Sequence, residues 1–239
     1  MINPLVLKLE RHDRLSDDEK RVLEGAISRV RVVEADEDIV HEGERPSESN
    51  LLLDGYAARY KIFSNGRRQI TAIHVAGDFV DLHNFLVKTM DHGVLALTPC
   101  RVAVVPHATI EKITNEHPHL TRLLWLNTLV DGAIHREWLT AMGRLSATAH
   151  MAHFICELFL RLKAVGRADG DTIQLPLTQA ELGDTLGLST VHVNRVLQEM
   201  RKEGLIRWQG DALTVLDWER LTSVGEFTPT YLSLQLEDR

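Results

Sequence analysis

The residues with the clearest chemical potential lie in the stretch LTQAELGDTLGLSTVHVNRVLQEM, positions 177–200. Thr178 and Glu181 have the spacing of a capping box, which predicts a helix that begins after Thr178. Gly187 favours the left-handed backbone that ends a helix, and Ser189 is a good N-cap for a second helix. A helix, a tight glycine turn and a second helix are typical of a helix-turn-helix, a motif that binds DNA.

The second helix of this motif has two chemically different faces. Its apolar residues are expected to pack inward: Val193, Val196, Leu197 and Met200. Gly183, in the first helix, is expected where the two helices cross, because a Cβ there would hold them apart. On the outward face, Arg195 can donate two hydrogen bonds to guanine, and Thr190 and Val191 can contact a thymine methyl group.

Other polar side chains of the motif are placed for the DNA backbone. Ser189 and Thr178 begin helices, where free N–H groups and the helix dipole favour a phosphate. His192 and Asn194 can reach the duplex, and Asn194 also fits a packing or capping role. We therefore interpret this helix as a recognition helix with phosphate contacts around its start.

The sequence after the recognition helix predicts a wing. Gly204 ends the helix, and the segments LIRW and LTVL then read as two short strands around a Gln209-Gly210-Asp211 turn. An ordinary helical hairpin followed by a β-hairpin would give a similar pattern. The two glycines, the caps and the wing in this order favour a winged helix-turn-helix.

The composition of the chain limits the class of protein to which this motif can belong. The chain has 239 residues, 44% of them apolar and 26% charged, as in ordinary globular proteins of one or two domains. The net charge of −7 gives no global attraction to nucleic acid, so any such contact must be local. We expect no signal peptide, because the start of the sequence has no long apolar segment. We expect no membrane span, because no apolar run approaches ~18 residues, and we expect the protein in the cytoplasm. Cys100 and Cys156 cannot supply a four-thiolate cluster or a disulfide framework.

The N-terminal half predicts a β structure preceded by a helix. Residues 16–30 read as helix, with Ser16 and Glu19 as a capping box. Turn glycines then recur every 11 or 12 residues between runs of β-forming residues: Gly43, Gly55, Gly66 and Gly77. The Ser64-Asn65-Gly66 turn predicts a hairpin, and CRVAVVP at 100–106 a last strand. This spacing is typical of an antiparallel sandwich or barrel.

Residues 108–163 read as helix and contain a heptad stripe. Its members alternate at spacings of three and four, apart from one gap at the charged Glu137: Leu120, Leu123, Asn127, Val130, Ile134 and Ala141. A single Asn in such a stripe favours a two-stranded coil, so these residues are expected at a dimer interface. A helix buried in its own subunit would show the same stripe.

The whole order of elements resembles the Crp/Fnr family of bacterial transcription regulators. The resemblance rests on the glycine-marked β-roll with its Gly77-Asp78-Phe79 turn, on the long helix, and on LTQAELGDTLGLSTVHVNRVL with its wing. It implies an α+β fold: an N-terminal jelly roll, or double-stranded β-helix, with its leading helix in 1–115, a long dimerisation helix in 116–143 and a winged helix-turn-helix in 144–239. It also implies a homodimer on double-stranded DNA, and contact with RNA polymerase if the protein is an activator.

The resemblance carries DNA contacts onto particular positions. The family's base-reading positions match Thr190, Val191 and Arg195, and its backbone-contacting positions match Ser189, Thr178 and Gln179. Many family members have Glu where this chain has Val191. Because Val cannot accept a hydrogen bond from cytosine, the operator is expected to differ from the familiar one.

The phosphate cassette of the family's cyclic-nucleotide-binding members is altered here. Asp81-Leu82 stands where those members have Gly-Glu, and no Arg lies between Asp78 and Cys100, which leaves Lys88 as the nearby cation. A buried phosphate needs a cation or exposed N–H groups. We therefore expect that neither cAMP nor cGMP is the effector, although a cyclic-nucleotide-responsive regulator with a divergent cassette stays an alternative.

The effector pocket is expected to be apolar, either filled or open to a small neutral ligand. The residues assigned to it are Phe79, Leu82, Phe85 and Leu95. His135 and Arg136 lie on the long helix, near the point where the family's ligand meets the dimer seam, and are added as effector contacts. The identity of the effector is open, and regulation by abundance alone fits equally well.

No cofactor and no metal site are predicted, although haem or metal sensing stays open. His150, His153 and Cys156 recur every three residues and could ligate a metal, but packing is the commoner role of such residues. His74, His83 and His92 are interpreted as surface or satisfied histidines. The enzyme alternative, a cupin-like enzyme or enzyme subunit, needs a His/His/carboxylate triad on adjacent strands, and none is evident. A ligand-binding module with a lost DNA domain would show broken caps, and the caps are intact.

Overall fold

The computed structural model describes residues 3–238, which form an α+β fold. The helices of the N-terminal part are α1 (Pro4–Leu9), α2 (Asp17–Gly25) and α3 (Asn84–Val87). Its strands are β1 (Arg29–Val33), β2 (Asp38–Val40), β3 (Glu48–Asp54), β4 (Ala57–Ile62), β5 (Arg68–His74), β6 (Gly93–Ala96) and β7 (Cys100–Pro106). The helix predicted over 16–30 is too long, because α2 ends at Gly25 and β1 begins at Arg29.

The strands form the predicted jelly-roll type of structure from two antiparallel sheets. One sheet has the order β1-β7-β3, and the other has the order β2-β6-β4-β5. The predicted turn glycines all have φ between 78° and 91°. Gly77 also makes room for α1, since a Cβ there would lie 2.8 Å from the carbonyl oxygen of Pro4. Sequence reasoning missed α1 itself.

The helical region is divided into α4 (His107–Glu116), α5 (Pro118–Arg144) and α6 (Ala147–Ala164) rather than being continuous. Pro118 disfavours helical backbone at His117, which has φ −125° and ψ 80°. Ser146 then caps α6 by accepting a hydrogen bond from the Ala149 N–H at 3.2 Å. None of the helices among residues 3–238 is long and apolar enough to cross a membrane.

The C-terminal part is built around the predicted helix-turn-helix. Its elements are β8 (Ala168–Asp169), β9 (Thr172–Gln174), α7 (Gln179–Leu186), α8 (Thr190–Lys202), β10 (Ile206–Gln209), β11 (Ala212–Val215), α9 (Trp218–Val224) and a 3-10 helix (Pro229–Leu232). The strands form an antiparallel sheet in the order β10-β11-β9-β8. The wing hairpin was predicted, whereas β8 and β9 were not.

The heptad stripe of α5 faces the interior of its own subunit. Apolar clusters formed by the same subunit bury Leu120, Leu123, Val130 and Ile134. Asn127 is 5% exposed, and its Oδ1 accepts a hydrogen bond from the Lys8 ammonium at 2.5 Å. The assignment of these five residues to a dimer interface is therefore wrong, because each already packs against its own chain.

A single apolar cluster joins the β-roll to the C-terminal part. It includes Ile73 and Val75 near the end of β5, Phe154 and Leu158 of α6, and Leu182 of α7. Polar contacts follow the same junction, since the Arg68 guanidinium donates to the Asp184 carboxylate at 2.9 Å. The first helix of the DNA-binding motif is thus packed against the β-roll.

Candidate DNA-binding face and effector cavity

The start of α7 has the predicted capping box. The Thr178 hydroxyl accepts a hydrogen bond from the Glu181 N–H at 3.2 Å, and the Glu181 carboxylate accepts one from the Thr178 N–H at 2.6 Å. Gly187 ends the helix with φ +69°, as predicted. The cap contacts satisfy otherwise unpaired backbone groups at the start of α7, and the left-handed Gly187 ends the helix before the turn to α8.

Gly183 makes room for the turn rather than for the second helix. A Cβ at this position would lie 2.6 Å from the carbonyl oxygen of Leu188. The nearest atom of α8, Cγ2 of Val193, would be 3.9 Å away, which is ordinary van der Waals contact. The expected reason for this glycine is therefore corrected from helix crossing to close approach of the turn backbone.

The recognition helix α8 presents an exposed face opposite its buried one. The four residues predicted to face inward are all buried: Val193, Val196, Leu197 and Met200. Thr190 and Arg195 are exposed, and Val191 is 82% exposed, although it is an apolar side chain. Ser189 caps the helix by accepting a hydrogen bond from the His192 N–H at 3.3 Å. The fold therefore brings all three predicted base-reading residues onto one accessible surface.

Neighbouring polar side chains hold this surface in place. The Arg195 guanidinium donates to Nε2 of His192 at 2.9 Å, which orients the Arg along the exposed face. The Asn194 amide lies 3.4 Å from the Gln179 side-chain oxygen and accepts a hydrogen bond from Gln198 at 2.9 Å. Asn194 thus bridges the two helices of the motif, which favours its packing role.

A cavity of about 620 Å³ lies between the β-roll and α5. Three of the residues assigned to the effector pocket line it: Phe79, Leu82 and His135. The other three do not line this cavity. Phe85 packs edge-on against His107 at 5.6 Å, Leu95 is buried in the main apolar cluster, and Arg136 is exposed on α5.

The cavity wall is mostly apolar in surface, as expected, but it also contains charged side chains that the sequence did not predict. Arg59 on β4 donates to the Asp131 carboxylate at 3.0 Å and to Nε2 of His135 at 2.9 Å. Burial opposes ionisation of Asp131, but Arg59 outweighs it and holds the pKa of this carboxyl at about 2. Lys61 also lines the cavity and is paired with Glu42. Both cations come from β4, outside the 78–100 segment in which a phosphate partner was sought.

Asp81 lies inside the β-roll rather than on the cavity wall. It is fully buried and accepts hydrogen bonds from the backbone N–H of Asn50 at 2.6 Å and from its amide at 2.7 Å. Burial raises the pKa of this carboxyl to about 7. Asp81 is not among the residues that line the cavity, so it makes no direct contact with a molecule bound there. Lys88 is likewise absent from the cavity wall and donates to the carbonyl of Phe85.

Histidines meet at one end of the cavity. His83 and His92 have ring centroids 5.1 Å apart, and both line the cavity together with Asp91. They lie on α3's N-cap and on the loop before β6, not on adjacent strands as the enzyme alternative requires. His153, in contrast, contacts the Gly225 carbonyl and the Tyr231 hydroxyl, each at 3.1 Å, which is the packing role weighed for it.

A buried charge network lies beneath the same cavity. Asp78 accepts hydrogen bonds from Lys8 and from Arg161, each at 2.7 Å. Arg161 also donates to Glu157 at 2.9 Å, and Glu157 accepts from the Trp138 indole N–H at 3.0 Å. Burial opposes ionisation of Asp78, but the two cations outweigh it and hold its pKa well below the ordinary range. The network joins α1, the β-roll, α5 and α6.

Comparison with known proteins matches each half of the chain separately. Residues 30–117 match the model of the cyclic nucleotide-binding domain, and residues 149–224 match that of the Crp-like helix-turn-helix domain. The nitrogen fixation regulation protein FixK of Bradyrhizobium diazoefficiens is 28% identical, over 73% of this chain and 72% of that protein. The transcriptional activator protein FnrL of Cereibacter sphaeroides is 26% identical, over 87% of this chain and 84% of that protein.

A solved structure has the same arrangement. The structure of FixK2 from Bradyrhizobium japonicum superposes with a TM-score of 0.76 at 25% identity. The match covers 84% of this chain and 98% of that one, so it includes the β-roll, the long helix and the winged motif together.

Proposed function

The chain belongs to the Crp/Fnr family of DNA-binding transcription regulators, and from this we propose that two copies read an inverted-repeat operator through the recognition helix at 190–203. The observation that carries the proposal is the exposed face of α8, where Thr190, Val191 and Arg195 lie side by side. Ser189 caps this helix, and Gly187 forms the turn before it. Such a helix fits the major groove of B-DNA. A regulator of this kind acts in the cytoplasm, and as an activator it would also contact RNA polymerase.

We assign base reading to the three exposed residues and phosphate contact to the helix starts. Arg195 is suited to guanine O6 and N7, and the methyl groups of Thr190 and Val191 to thymine. Thr178, Gln179 and Ser189 lie around the starts of α7 and α8, where N–H groups favour a phosphate. His192 supports this face by orienting Arg195.

Dimerisation is assigned to a different stripe of α5 from the one that the sequence predicted. Trp125, Leu129, Leu139 and Met142 are all exposed apolar side chains on one helix. Three of them belong to a repeat with spacings of four and three: Trp125, Leu129, Gly132, Arg136, Leu139 and Gly143. Met142 lies beside the end of this repeat. An accessible stripe with this period, interrupted by one charged residue, is suited to a two-stranded helical seam. We therefore place Arg136 at the seam rather than in the effector pocket.

A two-fold dimer sets the spacing of the operator. Recognition helices on one face of the duplex reach major grooves separated by about 34 Å, which is one helical turn. The two half-sites are then inverted copies of one another, because the symmetry of the protein is imposed on the DNA.

An effector other than a cyclic nucleotide, or the abundance of the protein, is proposed to control DNA binding. The cavity of about 620 Å³ has room for a small molecule, and Leu139 contributes both to its wall and to the exposed stripe. A bound molecule would therefore touch the seam. A phosphate is disfavoured, because Arg59 and Lys61 are already paired with Asp131 and Glu42. Leu82 also cannot accept a hydrogen bond from a ribose hydroxyl.

Selection of bound duplexes from a random DNA pool tests the DNA-binding proposal. We expect the wild-type protein to select an inverted repeat. The Arg195→Ala variant is expected to lose about 1–3 kcal/mol at one base pair of each half-site and to relax specificity there. Gln198→Ala, an exposed neighbour on α8, serves as the control and should keep the operator. Equal weakening of specific and random DNA by Arg195→Ala would contradict a base-reading role.

A further inference from the structure

Three side chains with metal-binding groups meet at the end of the effector cavity. They are His83 at the N-cap of α3, and Asp91 and His92 just before β6. One donor atom of each lies within 4.8 Å of those of the other two. Imidazole and carboxylate together suit zinc and non-haem iron, and a set of two His and one carboxylate leaves coordination positions open.

The two histidines carry buried ring nitrogens without a hydrogen-bond partner among the described residues. Nε2 of His83 and Nε2 of His92 are both in this state, and the His92 residue is only 7% exposed. Leaving a buried polar atom unsatisfied is unfavourable, so two such atoms on residues that line one cavity call for a ligand.

Asp91 prepares His92 for that ligand. Its carboxylate lies 2.6 Å from Nδ1 of His92 and can only accept a hydrogen bond there. Nδ1 therefore carries the ring hydrogen and donates a hydrogen bond to the carboxylate. The lone pair of the neutral ring is then on Nε2, the nitrogen that has no partner. A carboxylate that orients a histidine in this way is common around protein-bound metal ions.

We propose that His83, His92 and Asp91 form a binding site for one divalent transition-metal ion of the Zn²⁺ or Fe²⁺ class. The two imidazoles are direct ligands, and Asp91 completes the site as a ligand or as the hydrogen-bond partner of His92. The remaining coordination position faces the cavity, so the bound ion can in turn hold a small anionic or neutral donor molecule. This inference does not rest on DNA binding.

The spacing of the rings fits a shared ion after a small closure. Two imidazoles at the ~2.1 Å zinc–nitrogen distance and a tetrahedral angle have centroids about 5 Å apart. The observed centroid separation is 5.1 Å. Donor atoms on one tetrahedral ion lie about 3.4 Å apart, so donors up to 4.8 Å apart must approach each other by as much as about 1.4 Å. Asp91 is exposed on a loop, where such a movement costs little.

The charges around the cluster are compatible with a cation. A metal ion is bound by the neutral form of imidazole. The Arg59 charge acts against a cation here, but its ion pair with Asp131 at 3.0 Å offsets that charge. Asp91 supplies a further negative charge to the site.

Metal titration of the full-length protein tests this proposal directly. Protein stripped with a chelator is titrated with Zn²⁺, with Fe²⁺ under anaerobic conditions, and with Mg²⁺ as the oxygen-preferring control, and bound metal is measured. We expect one Zn²⁺ or Fe²⁺ per chain and no comparable Mg²⁺ binding. His83→Gln and His92→Gln should each weaken binding by about 100-fold or more, and Asp91→Asn by about 10- to 100-fold.

His107→Gln is the matched control, because His107 is a half-buried histidine of the same β-roll that contacts Ser49 at 3.3 Å, outside the cluster. It should bind metal like the wild type. If a buried-histidine variant does not fold, as judged by circular dichroism, Asp91→Asn decides the matter, since its side chain is exposed. Absence of Zn²⁺ and Fe²⁺ binding at micromolar concentration would overturn the proposal. So would unchanged affinity in Asp91→Asn and in the folded histidine variants.

Discussion

Neutralising Asp78 should destabilise the protein, because Asp78 lies at the centre of the charge network that joins the two halves of the chain. Asp78 is 5% exposed and accepts hydrogen bonds from Lys8, from Arg161 and from the Val75 N–H. Asp78→Asn keeps the size of the side chain and an oxygen for the Val75 N–H. It removes the negative charge between the two cations, so the change isolates the electrostatic contribution.

The expected loss of unfolding free energy at pH 7 is about 3 kcal/mol. Removing one partner of a buried ion pair costs about 3–5 kcal/mol, because the other charge is left uncompensated. The lower end applies here for two reasons. Arg161 keeps its pair with Glu157 at 2.9 Å, and the Lys8 side chain is 19% exposed and so retains some hydration.

The loss should depend on pH in a direction that the charges determine. Because the pKa of Asp78 is held below its ordinary value of 3.8 in the folded chain, its contribution is complete above that value. The contribution declines as the pH falls toward the folded pKa, at about 1.4 kcal/mol per pH unit. The difference between wild type and Asp78→Asn should therefore shrink by about 1 kcal/mol between pH 7 and pH 3.

Urea unfolding at the two pH values measures both quantities. Asp54→Asn is the control, since Asp54 pairs with Arg167 at the surface, where both side chains are about half exposed. Such a pair contributes about 0–1 kcal/mol. A loss in Asp78→Asn that is no larger than in Asp54→Asn, or that is equal at pH 7 and pH 3, would refute the argument from buried charge.

Two further predictions concern assembly and control. Leu129→Glu places a charge in the exposed stripe of α5 and should convert a dimer to a monomer in sedimentation experiments, with at least about 100-fold weaker operator binding. Leu86→Glu, at a more exposed position on α3, is the control and should stay dimeric. A dimeric Leu129→Glu would place the seam elsewhere. Calorimetry should detect no binding of cAMP or cGMP at physiological concentration, because Arg59 and Lys61 are already paired, and micromolar binding coupled to tighter operator binding would overturn this reading of the cavity.

Local signals in the sequence predicted the winged motif and the β-roll well. Caps such as Thr178 with Glu181, and turns such as Gly187, act within a few residues, so their spacing is sufficient. The heptad stripe of α5 correctly indicated which face is buried. The stripe could not indicate what that face packs against. Burial against the β-roll of the same subunit and burial against a helix of a second subunit produce the same period.

The cavity depended on contacts that are distant in the chain. Arg59 and Asp131 are 72 residues apart and meet only because β4 and α5 face each other. The 78–100 segment contains only one lysine or arginine, Lys88, which donates to the Phe85 carbonyl, whereas the cations of the cavity wall lie on β4. His83 and His92 look like ordinary polar residues in sequence, since only the fold leaves their Nε2 atoms buried and unpartnered.

The apolar cluster shared by the β-roll and the winged motif has a thermodynamic consequence. Sequence similarity divides the chain into two modules, but Ile73 and Val75 on one side and Phe154 and Leu158 on the other belong to one core. Cutting the chain after α5 would expose that core on both fragments, and neither would keep the burial that offsets the conformational entropy of folding. The two segments that match separate family models therefore share one core, and a substitution that disrupts this core in either half is expected to lower the stability of the whole chain.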